Sequence, residues 1–129
     1  MDIVSALFVE DLAFRQVPGP ATRIDLTGVQ FSFAAPGPPP VTVAPHLVVL
    51  VRCGPDEPGT ATLDVVFRTA GGEEVAHHRQ PFMVEPGKFG YRLVKGDLTY
   101  DDYGTIEAHC SLDGGHATVV PLALLPPAP

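Results

Sequence analysis

The sequence predicts an all-β chain folded as a two-sheet antiparallel sandwich of about eight strands. Apolar and polar residues alternate over short runs, most cleanly from Gly104 to Leu112. There Ile106, Ala108, Cys110 and Leu112 face one way, and Thr105, Glu107, His109 and Ser111 the other. With 15 prolines and 13 glycines in 129 residues, the chain suits short strands joined by turns better than long helices. Asp113-Gly114 is a two-residue hairpin signal, because a type I′ turn needs positive φ at both central residues. A chain of this length makes one domain and buries roughly two-thirds of its unfolded surface. Residues 1–125 are assigned to it, and 126–129 to a proline-rich C-terminal tail.

The first strand is expected over Asp2–Phe8 or a little beyond, followed by a turn at Arg15–Ala21 with two prolines and a glycine. Residues 23–33 alternate in two halves around Gly28, a position for a bulge where the sheet bends or changes partners. APGPPP at 35–40 reads as an extended spacer, and the crossing between sheets is placed at 34–44. Residues 45–53 carry LVVLVRC, apolar on both faces. Such a strand is covered on both sides or meets another protein. Thr60–Val84 is a hairpin. A three-residue loop at Ala70-Gly71-Gly72 pairs Phe67 with Val75, Arg68 with Glu74, Val65 with His77 and Asp64 with His78. A two-residue turn would instead set Phe67 opposite Ala76; the first register matches apolar with apolar and is preferred. Phe89–Tyr100 is one strand with an irregularity at Gly96, and Asp101–Gly104 forms the corner into the closing hairpin.

Composition removes several function classes. No apolar run reaches the ~18 residues of a membrane helix, and the N-terminus lacks the basic region of a secretory signal. Net charge is −7, from 15 acidic and 8 scattered basic residues, so nothing supplies a phosphate-neutralising patch for nucleic acid. Two cysteines, Cys53 and Cys110, are too few for a disulfide scaffold and point to reduced thiols in the cytoplasm.

Residues 102–108, DYGTIEA, have the rhythm of the corner between two strands of immunoglobulin-like sandwiches. Ile106 stands where the corner tyrosine would be, Ala108 replaces the inter-sheet cysteine, and tryptophan is absent. An antibody-type domain is thereby excluded, and an immunoglobulin-like or C2-like sandwich geometry remains. Over most of its length the chain resembles a family of small bacterial β-sandwich proteins of unknown function. The shared features are ALFVED, HLVVLVR after a proline-rich connection, AGGEEV, and a YG…LDGG ending before a short apolar strand. The resemblance implies the fold and a non-enzymatic role, and carries over no site residues.

Candidate chemistry is sparse. In a tight Asp113-Gly114 hairpin, Ser111 faces His116 and His109 faces Thr118. His109, His116 and Glu107 then share the outward face, where two imidazoles and a carboxylate suit Zn²⁺. The plainer reading is a solvated polar face. Asp97, Asp101 and Asp102, with Asp56 and Glu57 in another loop, resemble the loop carboxylates of calcium-binding sandwiches, or are solvated turn residues. His77 and His78 point to opposite faces and cannot chelate one metal. Cys110 faces the core, where a thiol is inert. No phosphate loop, triad or metalloprotease motif occurs.

The resulting expectation is a non-enzymatic structural or protein-interaction module, without cofactor, in the bacterial cytoplasm. Its partner is another protein or a second copy of itself, not nucleic acid or membrane. The contact surface is placed at Val48, Leu50 and Arg52, or along the exposed edge of the 60–84 hairpin. The alternative is a metal- or calcium-binding sandwich using His109/His116/Glu107 or Asp101/Asp102.

Overall fold

A computed structural model describes residues 1–129 and contains eleven strands and no helix. They are β1 (Asp2–Arg15), β2 (Arg23–Val29), β3 (Ser32–Ala34), β4 (Val41–Val43), β5 (His46–Arg52), β6 (Thr60–Thr69), β7 (Glu74–Met83), β8 (Phe89–Lys95), β9 (Leu98–Tyr100), β10 (Gly104–Leu112) and β11 (Thr118–Leu125). One sheet has the order β2-β1-β5-β8, the other β3-β11-β10-β6-β7, and β4 and β9 form a separate two-stranded ladder. The fold is therefore the expected β-sandwich, with eleven strands rather than eight. The count rises because Gly96-Asp97 splits the expected 89–100 strand, and because β3 and β4 are short additional pieces. The chain passes to the second sheet between Val29 and Ser32, where β3 pairs parallel with β11, and returns to the first sheet through β4 between Ala34 and His46. The crossing expected at 34–44 is therefore present, and a second one precedes it.

The main core lies between the two sheets. Ala6, Phe8, Leu47, Val49 and Val51 meet Leu63, Val65, Phe67, Ile106, Ala108, Cys110, Leu122 and Leu124. Burying each large aliphatic or aromatic side chain contributes about 1.5–3 kcal/mol, so the inward alternation of β6 and β10 is a main source of stability. Tyr100 closes one end, with its ring edge-on to Phe33 at 5.6 Å and its hydroxyl donating to the Leu122 carbonyl at 2.7 Å. That bond satisfies the one polar atom of a buried tyrosine.

Both hairpins of the second sheet differ from the expected register, and for the same reason. The three-residue loop at Ala70–Gly72 forms, closed by Thr69 N–H donating to the Glu73 carbonyl at 2.8 Å, with Gly72 at φ +89°. Arg68 faces Glu74 as expected. Val75 is then bulged out of the ladder, and Phe67 pairs with Ala76, Val65 with His78 and Asp64 with Arg79. Without the bulge Pro81 and Met83 would point inward; with it Phe82 and Val84 do. In the closing hairpin Asp113 (φ +50°) and Gly114 (φ +70°) make the expected turn, closed by Gly115 N–H to the Leu112 carbonyl. The ladder resumes at Cys110 opposite Thr118, so His109 faces Val119 and not Thr118. That single-residue shift turns Leu122 and Leu124 inward in place of Pro121 and Ala123.

The other sheet has a third layer. Val9 and Val48 are each 1% exposed, yet neither belongs to the main core. They face outward, and the outer half of the β1–β2 hairpin covers them. The ladder between β1 and β5 ends at Val9 opposite His46. Phe14 nonetheless lies 5.7 Å, centroid to centroid, from Tyr91, which pairs with Leu50, itself opposite Ser5. A straight strand would carry Phe14 roughly 30 Å from the level of Ser5, so the hairpin doubles back over the sheet. Gly28, at φ +64° between the Val9–Val29 and Asp11–Thr27 pairs, sits at the fold. A Cβ there would meet the Glu10 side chain at 2.5 Å.

Candidate functional site

The doubled-back hairpin decides the fate of the expected contact surface. Val48 is 1% exposed beneath it, so its side chain lies under the protein's own hairpin and not on the contact surface where it was expected. The doubly apolar β5 is covered on both sides by the protein itself. Arg52 remains exposed and donates to Asp2, its cross-strand neighbour, at 3.0 Å. Leu50 alone of the three opens into a cavity.

That cavity, about 370 Å³, lies between the hairpin tip and the β5–β8 pair, and its size falls within the range of ligand pockets. Ile24, Leu50, Phe89 and Tyr91 supply apolar walls, and Arg15 and Arg23 supply charge. Arg15 and Arg23 stand directly opposite in the β1–β2 ladder. Asp25 accepts from Arg15 Nε at 3.1 Å and from Nη2 at 2.6 Å, a two-point grip on one guanidinium. Phe89, which lines the cavity, and Phe14, whose ring lies edge-on 5.7 Å from that of Tyr91 in the cavity wall, are each 67% exposed. Apolar walls with three charged side chains, two of them paired with each other, suit binding; no hydroxyl–imidazole or thiol–imidazole pair lines the cavity to attack a bond.

The sequence contained part of this site. Phe89, Tyr91 and Leu93 alternate onto one face, and Arg15 and Arg23 are equidistant from Gly19 in the turn. Any hairpin centred on that glycine sets the two arginines opposite. What was not legible is that this hairpin folds over β5, since the fold-back depends on contacts between residues far apart in sequence.

The proposed metal ligands do not assemble. His109 Nε2 lies 3.5 Å from Glu107 Oε1 on the outer face of β10, but His116 is in the loop after the turn, beside Met1, Asp2 and Ile3. The register shift that buries Leu122 removes His116 from the ladder. Asp102 accepts from the Tyr103 N–H at 2.8 Å as a turn residue, and Glu57 turns to the Gly54 N–H and the Met1 amino group. No three His, Cys, Asp or Glu side chains converge to hold an ion, which corrects both the zinc and the calcium arrangements.

The remaining polar groups belong to the fold. The bulge exchanges the two adjacent histidines. His77 points outward to Asp64 Oδ1 at 2.9 Å, while His78 points inward with Nε2 buried and unpartnered. Cys53 and Cys110 are both buried and unpaired. Burial pushes the Cys110 thiol up to about 12, so it is protonated and unreactive. No helix is long and apolar enough to cross a membrane. No protein-family model matches the chain, and no curated protein is significantly similar to it.

Proposed function

We propose that this chain is a non-enzymatic protein-interaction module that receives a partner protein in the cavity beneath the folded-back hairpin. The observation that carries this reading is the pairing of an apolar cavity with two phenylalanines left 67% exposed at its margin. Exposed aromatic side chains beside a concavity are the anchors of protein interfaces, where burying them supplies most of the binding energy. The site lies on the same sheet as the Val48, Leu50 and Arg52 surface but is displaced to the residues the hairpin leaves open. A cytoplasmic setting fits the two buried, unpaired thiols. Membership in the small bacterial sandwich proteins that the sequence resembles is part of the same proposal.

A photo-crosslinking residue at position 89, with a control at exposed Thr42, tests the reading in lysate of the host, read by native and denaturing mass spectrometry. One discrete adduct from position 89, absent from position 42 and lost in Phe14→Ser, is the expected result. Equal adducts from both positions, or none from position 89, would overturn it.

A further inference from the structure

Resting on that reading, we infer that the partner segment carries a carboxylate beside a large apolar side chain, and that Arg23 receives the carboxylate. The eight basic side chains are otherwise accounted for almost completely. Arg15, Arg52, Arg79 and Lys88 each have a carboxylate within 4.0 Å. Arg68 donates to the Gly72 carbonyl and Arg92 to that of Pro81, its guanidinium stacked 5.1 Å from the Phe82 ring. Arg23 and Lys95 have no such partner, and only Arg23 lines a cavity.

The position of Arg23 strengthens the case. Like charges directly opposite in an antiparallel ladder destabilise it, yet Arg23 faces Arg15. Asp25 neutralises Arg15 alone. The charged groups lining the cavity thus leave one uncompensated positive charge, in a chain whose net charge is −7. An anion beside Arg23 relieves the repulsion, while Ile24, Leu50 and Tyr91 receive the apolar group next to it. A protein segment fits better than a free organic acid. Phe14 and Phe89 extend the apolar surface beyond the cavity mouth, and only an occupant that continues past the cavity covers them.

The test is selection of a random linear peptide library displayed on phage against the intact protein. Enriched peptides are then synthesised with each acid or its amide, and titrated while following the backbone amide resonances of Ile24, Leu50, Gly90 and Tyr91. Enrichment of Asp or Glu within two positions of an aromatic or large aliphatic residue is expected. Conversion to the amide should weaken binding about fivefold on the unaltered protein and not at all on Arg23→Gln, as for a partly exposed charge pair. Enriched peptides without an acid, or an equal loss on Arg23→Gln, would overturn the charge inference and leave the interaction reading standing. Failure of Phe89→Ser, an exposed and structurally mild change, to weaken any enriched peptide would overturn both. Free 3-phenylpropionate binding at the same amides as tightly as the peptides would overturn the choice of a protein segment.

Discussion

β5 and β10 are both central antiparallel strands, and they read very differently. β10 alternates strictly because one of its faces meets the core and the other meets solvent, where Glu107 and His109 lie. β5 is apolar on both faces because both are covered, one by the opposite sheet and one by the doubled-back hairpin. A doubly apolar strand is therefore ambiguous from sequence alone, since a partner protein and a folded-over hairpin impose the same pattern. What separates them is whether the cover is part of the chain.

The sharpest way to break this contrast is to place the same charge on both outer faces. Val48→Asp should cost about 5 kcal/mol, because it strands an unpaired carboxylate beneath the hairpin. Val119→Asp, on the outer face beside β10, should stay within about 0.5 kcal/mol. Urea unfolding midpoints measure both, and a mild effect at Val48 would mean the hairpin does not cover it. Phe82→Ala comes next, at about 4 kcal/mol, since the Val75 bulge exists to bury that ring. Met83→Ala, one residue along and exposed, should be nearly neutral.

An alkaline effect distinguishes the main core from the solvated faces. Burial raises Cys110 from 9.0 to about 12 and raises Tyr100 as well, so the fold holds both in the neutral form. The unfolded chain ionises the thiol near 9.0, so it binds fewer protons than the native protein above that pH. The contribution to stability is therefore full below about 9 and is lost progressively as pH rises towards about 12. Thermal melts of Cys110→Ala should show a shallower decline across that window. A smaller effect than those at Val48 and Phe82 is expected at the fold of the hairpin. Gly28→Ala should cost about 1 kcal/mol, from the positive φ, since the Glu10 side chain it meets is free to move aside. Amide exchange should rise at Val48 and Leu50 before global unfolding, as the third layer loosens.

Local chemistry was legible wherever a turn is made by its own residues. Asp113-Gly114 takes the paired positive φ values its sequence demands, and Ala70–Gly72 makes a three-residue loop ending in a left-handed glycine. Alternation likewise assigned Ile106, Ala108 and Cys110 to the core. Registers a few residues beyond each turn were not legible by pairing rules. Cross-strand pairs contribute ~0.2–1 kcal/mol each, less than the ~1.5–3 kcal/mol from burying Phe82, Leu122 or Leu124. A bulge at Val75 and an extra residue before Thr118 both favour burial over pairing; the first exchanges His77 and His78, and the second undoes the His109–His116 arrangement.

The sequence by itself determined an all-β sandwich, its turns, and the inward face of β6 and β10, because those follow from backbone preferences and a period of two. Only the tertiary structure decided that the β1–β2 hairpin folds back, that Val48 is covered, and that Arg15, Arg23, Leu50, Phe89 and Tyr91 enclose one cavity. Those contacts join residues tens of positions apart, and nothing in a strand's own alternation says which surface arrives to cover it.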